Sequence, residues 1–318
     1  MSKADCLVSV IIVNWNGRSW LEQCLPTLQT QTYTPFEIII VDNGSTDGSA
    51  GWLEEQWPQI KLLPQTQNLG FAAANNIAIR HSQAPYLITL NNDTKLEPSC
   101  LAELVAAAKQ PDVGMVAAQI VQWQEPTRLD SAGIEVDKAG IGWNRGWGCP
   151  VSEAGEETAV FGPSAAAALY KRAMLDEVGL FDEDFFAYYE DVDLAWRGQR
   201  AGWRCLYTPK ARVHHWHSAT ANRTPRFKTY LLGRNKVWAL VKNFSLTHNL
   251  QHLPAILFYD ALSLLWQTIQ TRGITAVRSR LAALWRLPTI WRKRSETQQA
   301  APLSTLTLPW QFQKRPFR

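Results

Sequence analysis

Short apolar runs alternate with segments of helical apolar spacing through the first 120 residues, and this alternation constrains the fold most. Val8 to Val13, Phe36 to Val41 and Tyr86 to Leu90 are strand-like runs. The segments between them place apolar residues on one face of a helix. Strands that alternate with helices indicate a mostly parallel sheet covered on both faces. We therefore predict an α/β fold for this part of the chain.

Each strand-like run ends in a cluster of polar residues. The three clusters are 14–17, 42–48 and 91–94. In open α/β sheets, ligands bind at the carboxyl ends of the strands. Asp42 is therefore a candidate for hydrogen bonding to a nucleobase or ribose, and Asp93 is a candidate for holding a divalent cation. A polar turn or a helix cap is the alternative for both clusters, because Asp, Asn, Gly and Ser favour turns.

An acidic and aromatic segment at 181–194 is the third candidate. Glu190, Asp191 and Asp193 fall within four residues, next to several Phe and Tyr residues. Aromatic neighbours can desolvate a carboxylate and raise its pKa, which suits a general base. An acidic first helical turn is the alternative, although three carboxylates exceed what the helix dipole requires.

Histidines form the fourth candidate, since His214, His215 and His217 lie within four residues. Neutral imidazole is a common metal ligand, and a locally bonded residue at a strand end is the alternative.

The sequence contains no GxGxxG after a strand, no GxxxxGK[ST] and no GxSxG. It therefore gives no support to a dinucleotide-binding site, a P-loop NTPase or an esterase. Five cysteines without a CxxC pair favour a reducing compartment.

Charge is divided unequally along the 318-residue chain. Residues 1–222 carry 16 Lys and Arg against 26 Asp and Glu, a net charge of −10, whereas residues 223–318 carry 16 against 2, a net charge of +14. The basic part contains Trp-rich apolar stretches, which suit an anionic membrane surface better than nucleic acid. We therefore predict one domain over 1–222 and a membrane-surface helical region over 223–318. A helical cap or an oligomer interface is the alternative for the second part.

Six segments, in their order and spacing, resemble an inverting glycosyltransferase of family 2 with the GT-A fold, and most of all its rhamnosyltransferase-type members. They are VSVIIVNWNG (8–17), EIIIVDNGSTDGS (37–49), NLGFAAANN (68–76), YLITLNNDT (86–94), GLFDEDFFAYYEDVDLAWRGQRAGW (179–203) and ARVHHWHS (211–218). The resemblance covers roughly residues 6–243, and its specificity comes from the ordered set. It implies a mostly parallel sheet with a nucleotide-sugar half, an acceptor half and a C-terminal helical extension.

The resemblance also implies roles for individual residues on the donor side. The implied nucleotide-binding residues are Val13, Asn14, Asp42, Asn68, Gly70 and Asn92. Asp93 resembles the last acid of the family's DXD motif, which binds Mg²⁺ or Mn²⁺ against the diphosphate. His214 resembles the histidine that completes the metal or phosphate site, and His215 is the alternative one residue away.

Other implied roles concern the reaction itself and the acceptor. Asp191, preceded by Glu190, resembles the general base that deprotonates the acceptor hydroxyl. The implied acceptor-side residues are Trp143, Arg234 and Asn235. The chain departs from the family pattern where Asn91 occupies the first DXD position and where Ala165 replaces a frequent glycine.

The resemblance implies transfer of a sugar, with rhamnose one candidate, from a dTDP-, UDP- or GDP-linked donor. The implied acceptor is a saccharide or a lipid-linked saccharide in cell-surface polysaccharide synthesis. The implied location is cytoplasmic, on the inner face of the cell membrane, without nucleic acid as a partner. A non-catalytic nucleotide- or sugar-binding module on a membrane scaffold is the alternative from another class, and a nucleotidyltransferase is a weaker third hypothesis.

Overall fold

The computed structural model describes residues 7–216 and 225–300, with side chains described through Ser295. The strands are β1 (Val8–Asn14), β2 (Phe36–Asp42), β3 (Lys61–Pro64), β4 (Tyr86–Asn91), β5 (Thr94–Leu96), β6 (Val113–Gln122), β7 (Leu129–Ser131), β8 (Ile134–Val136), β9 (Gly142–Asn144), β10 (Thr158–Val160), β11 (Ala167–Lys171) and β12 (Arg204–His215). The helices are α1 (Arg18–Gln29), α2 (Ser49–Gln56), α3 (Phe71–His81), α4 (Cys100–Ala108), α5 (Arg172–Val178), α6 (Glu190–Arg200), α7 (Pro225–Asn243), α8 (Leu246–Thr271), α9 (Thr275–Trp285) and α10 (Leu287–Ala300). His217 lies outside the described residues.

A ten-stranded sheet organises the described chain, with β10, β12, β6, β11, β4, β1, β2 and β3 in that order across it. β1 pairs in parallel with β2 and β4, and β2 pairs in parallel with β3. β11 runs antiparallel between β4 and β6, and β12 runs parallel to β6. The carboxyl ends of β1, β2 and β4 therefore meet at one edge of the sheet, as the sequence predicts.

Two apolar clusters cover the two faces of this sheet. The first buries side chains of α1, α2 and α4, including Leu25, Leu53 and Leu104. The second buries side chains of α3, α5 and α6, including Ala78 and Leu194. Helices on both faces of a sheet confirm the predicted α/β fold.

The segment 122–158 contains secondary structure that its sequence does not reveal. Strands β7, β8 and β9 lie within it, β10 begins at its end, and each is three residues long. Three residues are too few to show a clear alternation of apolar and polar positions. Glycines with left-handed φ angles, such as Gly133 and Gly146, supply the turns between these strands.

The C-terminal helices pack onto the preceding α/β body. A third apolar cluster joins Phe185 and Trp196 to Trp238 and Phe244 of the α7 region and to Ile290 of α10. The boundary predicted between residues 222 and 223 lies outside the described residues, and the helices beyond it share this cluster with α6. Among the described helices, none combines the length and the hydropathy needed to cross a bilayer.

Candidate active site

The ends of β1, β2 and β4 join three of the predicted nucleotide-side residues in one chain of hydrogen bonds. Asn14 Nδ2 donates to Asp42 Oδ2 at 3.0 Å, and Asn92 Nδ2 donates to Asn14 Oδ1 at 2.8 Å. All three side chains are buried, and Val13 precedes Asn14 in β1. A Cβ at Gly17 would overlap the amides of Asn92 and Asn14, so the close approach of the chain requires glycine there.

Asn68 and Gly70 are connected to this edge by Asn43, which follows β2. Asn43 Nδ2 donates to Asn68 Oδ1 at 2.9 Å, and Asn43 Oδ1 accepts from the Leu69 amide at 2.9 Å. Gly70 has a φ of 89°, and a Cβ there would lie 2.6 Å from the Phe186 ring. The donor-side segment therefore packs directly against the loop that precedes α6.

His215, rather than the predicted His214, lies beside Asp93. His215 Nε2 is 3.2 Å from Asp93 Oδ1, and Nδ1 donates to Asp130 Oδ2 at 2.5 Å. His214 Nε2 instead lies 3.4 Å from Glu97 Oε1. Successive side chains of a strand point to opposite faces, so only one of two adjacent histidines in β12 can face Asp93. The choice of His214 for the position beside Asp93 is therefore corrected to His215.

Asp93 and His215 fit part of the ligand set of a divalent cation. Burial favours the neutral imidazole, but without a cation the hydrogen bonds to Asp130 and Asp93 and their charges outweigh it and raise the pKa of His215 to about 10, so a bound cation would have to displace the proton from Nε2. A carboxylate on the second ring nitrogen, as Asp130 provides, is the usual support of a metal-ligating histidine. Within 7–216 and 225–295, no three His, Cys, Asp or Glu side chains are grouped to hold a metal ion by themselves. Mg²⁺ commonly takes one or two carboxylates and completes its shell with water and substrate phosphates.

Glu190 and Asp191 begin helix α6 at the same edge of the sheet. Asp191 Oδ2 accepts a hydrogen bond from the Ala165 amide at 3.3 Å. The neighbouring Ala166 carbonyl accepts from the Asn91 amide at the end of β4, at 2.9 Å. Residues 165 and 166 therefore lie between Asp191 and Asn91, the last residue of β4. Asp93 follows Asn91 by two residues.

The environment of these two carboxyl groups favours proton uptake. Burial raises the pKa of Asp191, and hydrogen bonds from the Ala165 and Val192 amides oppose the rise. Burial and the charge of Asp191 hold the pKa of Glu190 well above its ordinary range. Glu190 Oε2 has no hydrogen-bond partner among the described residues. Carboxylates with raised pKa values are typical of general acids and bases.

A strained turn leads into α6. Phe186, Tyr188 and Tyr189 have φ angles of 65°, 67° and 71°, each in the left-handed region that residues with a Cβ seldom adopt. Each such residue costs on the order of 1–3 kcal/mol, and such strain is concentrated at functional sites. Burial and the charges of Glu190 and Asp93 raise the pKa of Tyr188 to about 12. Tyr188 is therefore within electrostatic reach of Glu190 and of the candidate metal residue Asp93.

The three residues predicted for the acceptor side occupy different environments. Trp143 lies in β9 with 37% of its surface exposed, and the amide of the preceding Gly142 donates to Tyr189 Oη at 3.2 Å. Asn235 is fully buried, and the side chains of Arg234 and Asn235 donate to backbone carbonyls of the strained turn. Trp143 therefore remains a candidate for sugar contact, whereas Arg234 and Asn235 contact the protein itself.

Three residues of this site were not singled out from the sequence. Asp130 lies in β7, where the short strand gave no periodic signal. Asn43 is one of several turn-forming residues after β2, and Tyr188 is one of several aromatic residues before α6. Asp130 follows the apolar Leu129 but precedes Ser131, so no local alternation marks it as a buried carboxylate.

Comparison with known proteins agrees with this architecture. The family model for glycosyl transferase family 2 matches residues 9–179, more than half of the chain. The N-acetylglucosaminyl-diphospho-decaprenol L-rhamnosyltransferase of Mycobacterium tuberculosis is 29% identical over 243 residues, which cover 69% of this chain and 79% of that protein. The O-antigen biosynthesis protein RfbC of Myxococcus xanthus is 30% identical over 67% of this chain. The chain spans 17% of RfbC and 25% of a similarly matched uncharacterized protein of Sinorhizobium fredii.

Solved structures show the same fold at low sequence identity. A mannosyltransferase from Pyrobaculum calidifontis, in complex with GDP-Man and Mn²⁺, superposes with a TM-score of 0.56 at 19% identity, covering 92% of this chain and 85% of its own. GalNAc-T7 with UDP, GalNAc and Mn²⁺ gives a TM-score of 0.60 at 17% identity, covering 74% of this chain and 48% of its own. The resemblance found in the sequence is thereby confirmed: the chain belongs to glycosyl transferase family 2, is similar to its rhamnosyltransferases, and has the GT-A fold.

Proposed function

We propose that this glycosyltransferase moves a sugar from a nucleoside-diphosphate donor to a saccharide or lipid-linked saccharide acceptor, with inversion at the anomeric carbon. Rhamnose is the proposed sugar, because the Mycobacterium tuberculosis relative is a rhamnosyltransferase that spans a similar length. The observation that carries the proposal is the arrangement of Asp191 and Asp93 at one edge of the sheet, separated by a single short segment.

The donor side is formed by the strand ends. The hydrogen-bonded chain of Asp42, Asn14 and Asn92 lines the edge with buried polar groups. The Asn43, Asn68 and Gly70 contacts hold the next segment against it. In this proposal, these buried polar groups orient the base and ribose of the donor by hydrogen bonds.

The diphosphate is proposed to lie next to Asp93 and His215. These two residues would hold Mg²⁺ or Mn²⁺, with Asp130 fixing the orientation of the imidazole. Such a cation, when bound, neutralises the negative charge that develops on the departing diphosphate. The Mn²⁺ in the two structural relatives supports divalent metal use here.

Asp191 is the proposed general base. Its carboxylate takes the proton of the acceptor hydroxyl while that oxygen attacks the anomeric carbon from the side opposite the diphosphate. The Ala165 amide orients one oxygen of the carboxylate, and the raised pKa of Asp191 makes proton uptake more favourable. One base and one displacement give inversion, as in inverting glycoside hydrolysis.

The acceptor is proposed to be membrane-bound, with the enzyme on the cytoplasmic face of the membrane. Large apolar side chains of α8 and α9 are exposed, including Leu257, Trp266 and Trp285 at 60%, 63% and 86%. Arg272 and Arg278 are exposed on the same part of the chain. A surface that combines exposed Trp and Leu with Arg suits the interface of an anionic bilayer.

A donor screen tests the proposed reaction. Purified protein with Mn²⁺ or Mg²⁺ is mixed with dTDP-rhamnose and with UDP- and GDP-sugars, and release of nucleoside diphosphate is followed. We expect slow release from one donor class without acceptor, and a transferred sugar of inverted anomeric configuration, seen by NMR, once an acceptor is supplied. Nucleotide binding without turnover of any donor would instead support a non-catalytic module, and a retained configuration would exclude the single displacement.

A further inference from the structure

The turn that carries the candidate base is held by a helix from the basic part of the chain. Asn235 of α7 donates through Nδ2 to the carbonyls of Phe185, Ala187 and Tyr188 at 2.9, 2.9 and 2.7 Å. One buried amide therefore contacts three carbonyls in a stretch of four residues. The last of these, Tyr188, lies three residues before Asp191.

Arg234 supports this contact from the neighbouring position. Arg234 Nε donates to Asn235 Oδ1 at 2.9 Å, which fixes the amide with its nitrogen towards the turn. Arg234 Nη2 donates to the carbonyls of Asp184 and Phe185, each at 3.0 Å. The guanidinium lies 4.2 Å from the centre of the Trp238 ring, so its own position is constrained.

The turn has a conformation that it would not adopt without such support. Phe186, Tyr188 and Tyr189 all have left-handed φ angles, although none is glycine. Backbone strain of this kind persists only where the surroundings determine the conformation. The carbonyls that Asn235 binds belong to Tyr188 and to residues on either side of Phe186, so the amide contacts the strained part itself.

A second pair on α7 fixes the helix that follows the turn. Asn243 Nδ2 donates to Asp193 Oδ1 at 3.0 Å, and Lys242 Nζ lies 2.9 Å from the same atom. Asn235 and Lys242 are seven residues apart, which places them on one face of α7 two turns apart. Helix α7 therefore holds the chain on both sides of Glu190 and Asp191.

We propose that Asn235, oriented by Arg234, is a positioning residue that sets where Asp191 presents its carboxylate to the acceptor. The inference rests on the proposed function of Asp191 as the base. Asn235 stabilises the left-handed turn by binding its carbonyls, and the turn fixes the first residues of α6. Neither Asn235 nor Arg234 touches the reacting atoms in this role, which differs from the acceptor contact predicted from sequence.

Asn235→Ala tests the role, with Asn249→Ala as the matched control. Asn249 Nδ2 donates to the Leu240 carbonyl, outside the turn. We expect Asn235→Ala to lower kcat for donor turnover about 10- to 100-fold, because displacements of about 1 Å at a reacting group have effects of this size. Donor KM, and the affinity for UDP, GDP or dTDP with Mn²⁺, should stay within about twofold. Asn249→Ala should keep the kcat of the unchanged protein.

The comparison uses turnover per folded molecule, with the folded fraction measured by thermal unfolding. Normal kcat in folded Asn235→Ala would overturn the positioning role. If Asn235→Ala does not fold, Arg234→Lys tests the role instead. This variant removes the guanidinium that orients the Asn235 amide, so we expect a smaller fall in kcat at unchanged KM. Normal kcat in folded Arg234→Lys would then overturn the role. Full turnover by Asp191→Asn would refute the base itself, and with it this inference, whereas an inactive Asp191→Asn beside a normal Asn235→Ala would refute the inference alone.

Discussion

Lys242 Nζ lies 2.9 Å from Asp193 Oδ1, and both side chains are almost completely buried. Lys242 also lies 2.6 Å from Asp182, and Arg197 Nε donates to Asp193 at 2.9 Å. The basic part of the chain, residues 223–318, therefore neutralises some of the carboxylates of residues 1–222 within the molecule. Some of the opposite charges of the two parts are therefore paired with each other, whereas Arg272 and Arg278 are exposed.

Removing the lysine should destabilise the fold. Lys242→Met leaves Asp193 and Asp182 with fewer compensating charges, and breaking a buried pair in this way costs about 3–5 kcal/mol. Urea unfolding measures the loss. Arg204→Met is the control, because its pair with Asp112 is exposed and screened by solvent, so its loss should have little effect. Equal, small losses in the two variants would show that Lys242 does not hold α7 to α6.

The same network predicts how stability depends on pH. Burial disfavours the charged Asp193, but Lys242 and Arg197 outweigh it and lower the pKa of Asp193 from 3.8 to about 2. A carboxyl group with a lowered folded pKa contributes stability above its unfolded value and loses it as the pH falls. Stability should therefore fall between pH 3.8 and about 2. Asp193→Asn should be less stable at neutral pH and should flatten this part of the profile; an unchanged acid profile would contradict the assignment.

His215 and His214 should differ in their effect on metal use. His215→Asn removes the imidazole beside Asp93, and we expect Mn²⁺ to be required at about 10- to 100-fold higher concentration for donor turnover. His214→Asn should leave the requirement unchanged, since His214 faces Glu97. A Mn²⁺ titration of nucleoside diphosphate release measures both. A larger effect of His214→Asn would restore the assignment made from sequence.

We expect the exposed side chains of Trp266 and Trp285 to contribute to binding at a membrane surface. The double variant Trp266→Ser and Trp285→Ser removes two large apolar groups from α8 and α9, so binding to vesicles that contain phosphatidylglycerol should weaken several-fold. Trp147→Ser is the control, because Trp147 is 49% exposed in the segment between β9 and β10. Vesicle co-sedimentation at low and high salt measures the partition. Equal binding by all the proteins would contradict a membrane role for α8 and α9.

Much of the fold could be predicted because its signals are local. The predicted strand Val8 to Val13 lies within β1 (Val8–Asn14), and the segment of helical spacing predicted between Val41 and Tyr86 contains α3 (Phe71–His81). Long apolar runs and helical spacing are visible within a short window of sequence. The three-residue strands β7 to β10 carry no such pattern. They form because neighbouring strands of the folded sheet, such as β6 for β7 and β12 for β10, supply their hydrogen bonds.

The residues of the candidate site that follow strands could be predicted from the sequence. The residues whose orientation depends on tertiary contacts were harder to predict. Asn14 and Asp42 are brought together by the parallel register of β1 and β2, which the strand pattern anticipates. The orientation of His215 depends on which residue of β12 faces Asp93, and a shift of one residue exchanges the two histidines. The contact of Asn235 with the turn before α6 joins positions nearly fifty residues apart, and no local pattern indicates it.

Turnover by Asp191→Asn tests the central claim most directly. The amide has nearly the shape of the carboxylate but cannot take the proton of an attacking hydroxyl. Nucleotide affinity and turnover are measured on the same folded sample, by calorimetry with a nucleoside diphosphate and Mn²⁺ and by release of that nucleotide from the donor. We predict affinity close to that of the unchanged protein and loss of turnover. Full turnover in this variant would contradict the assignment of Asp191 as the base.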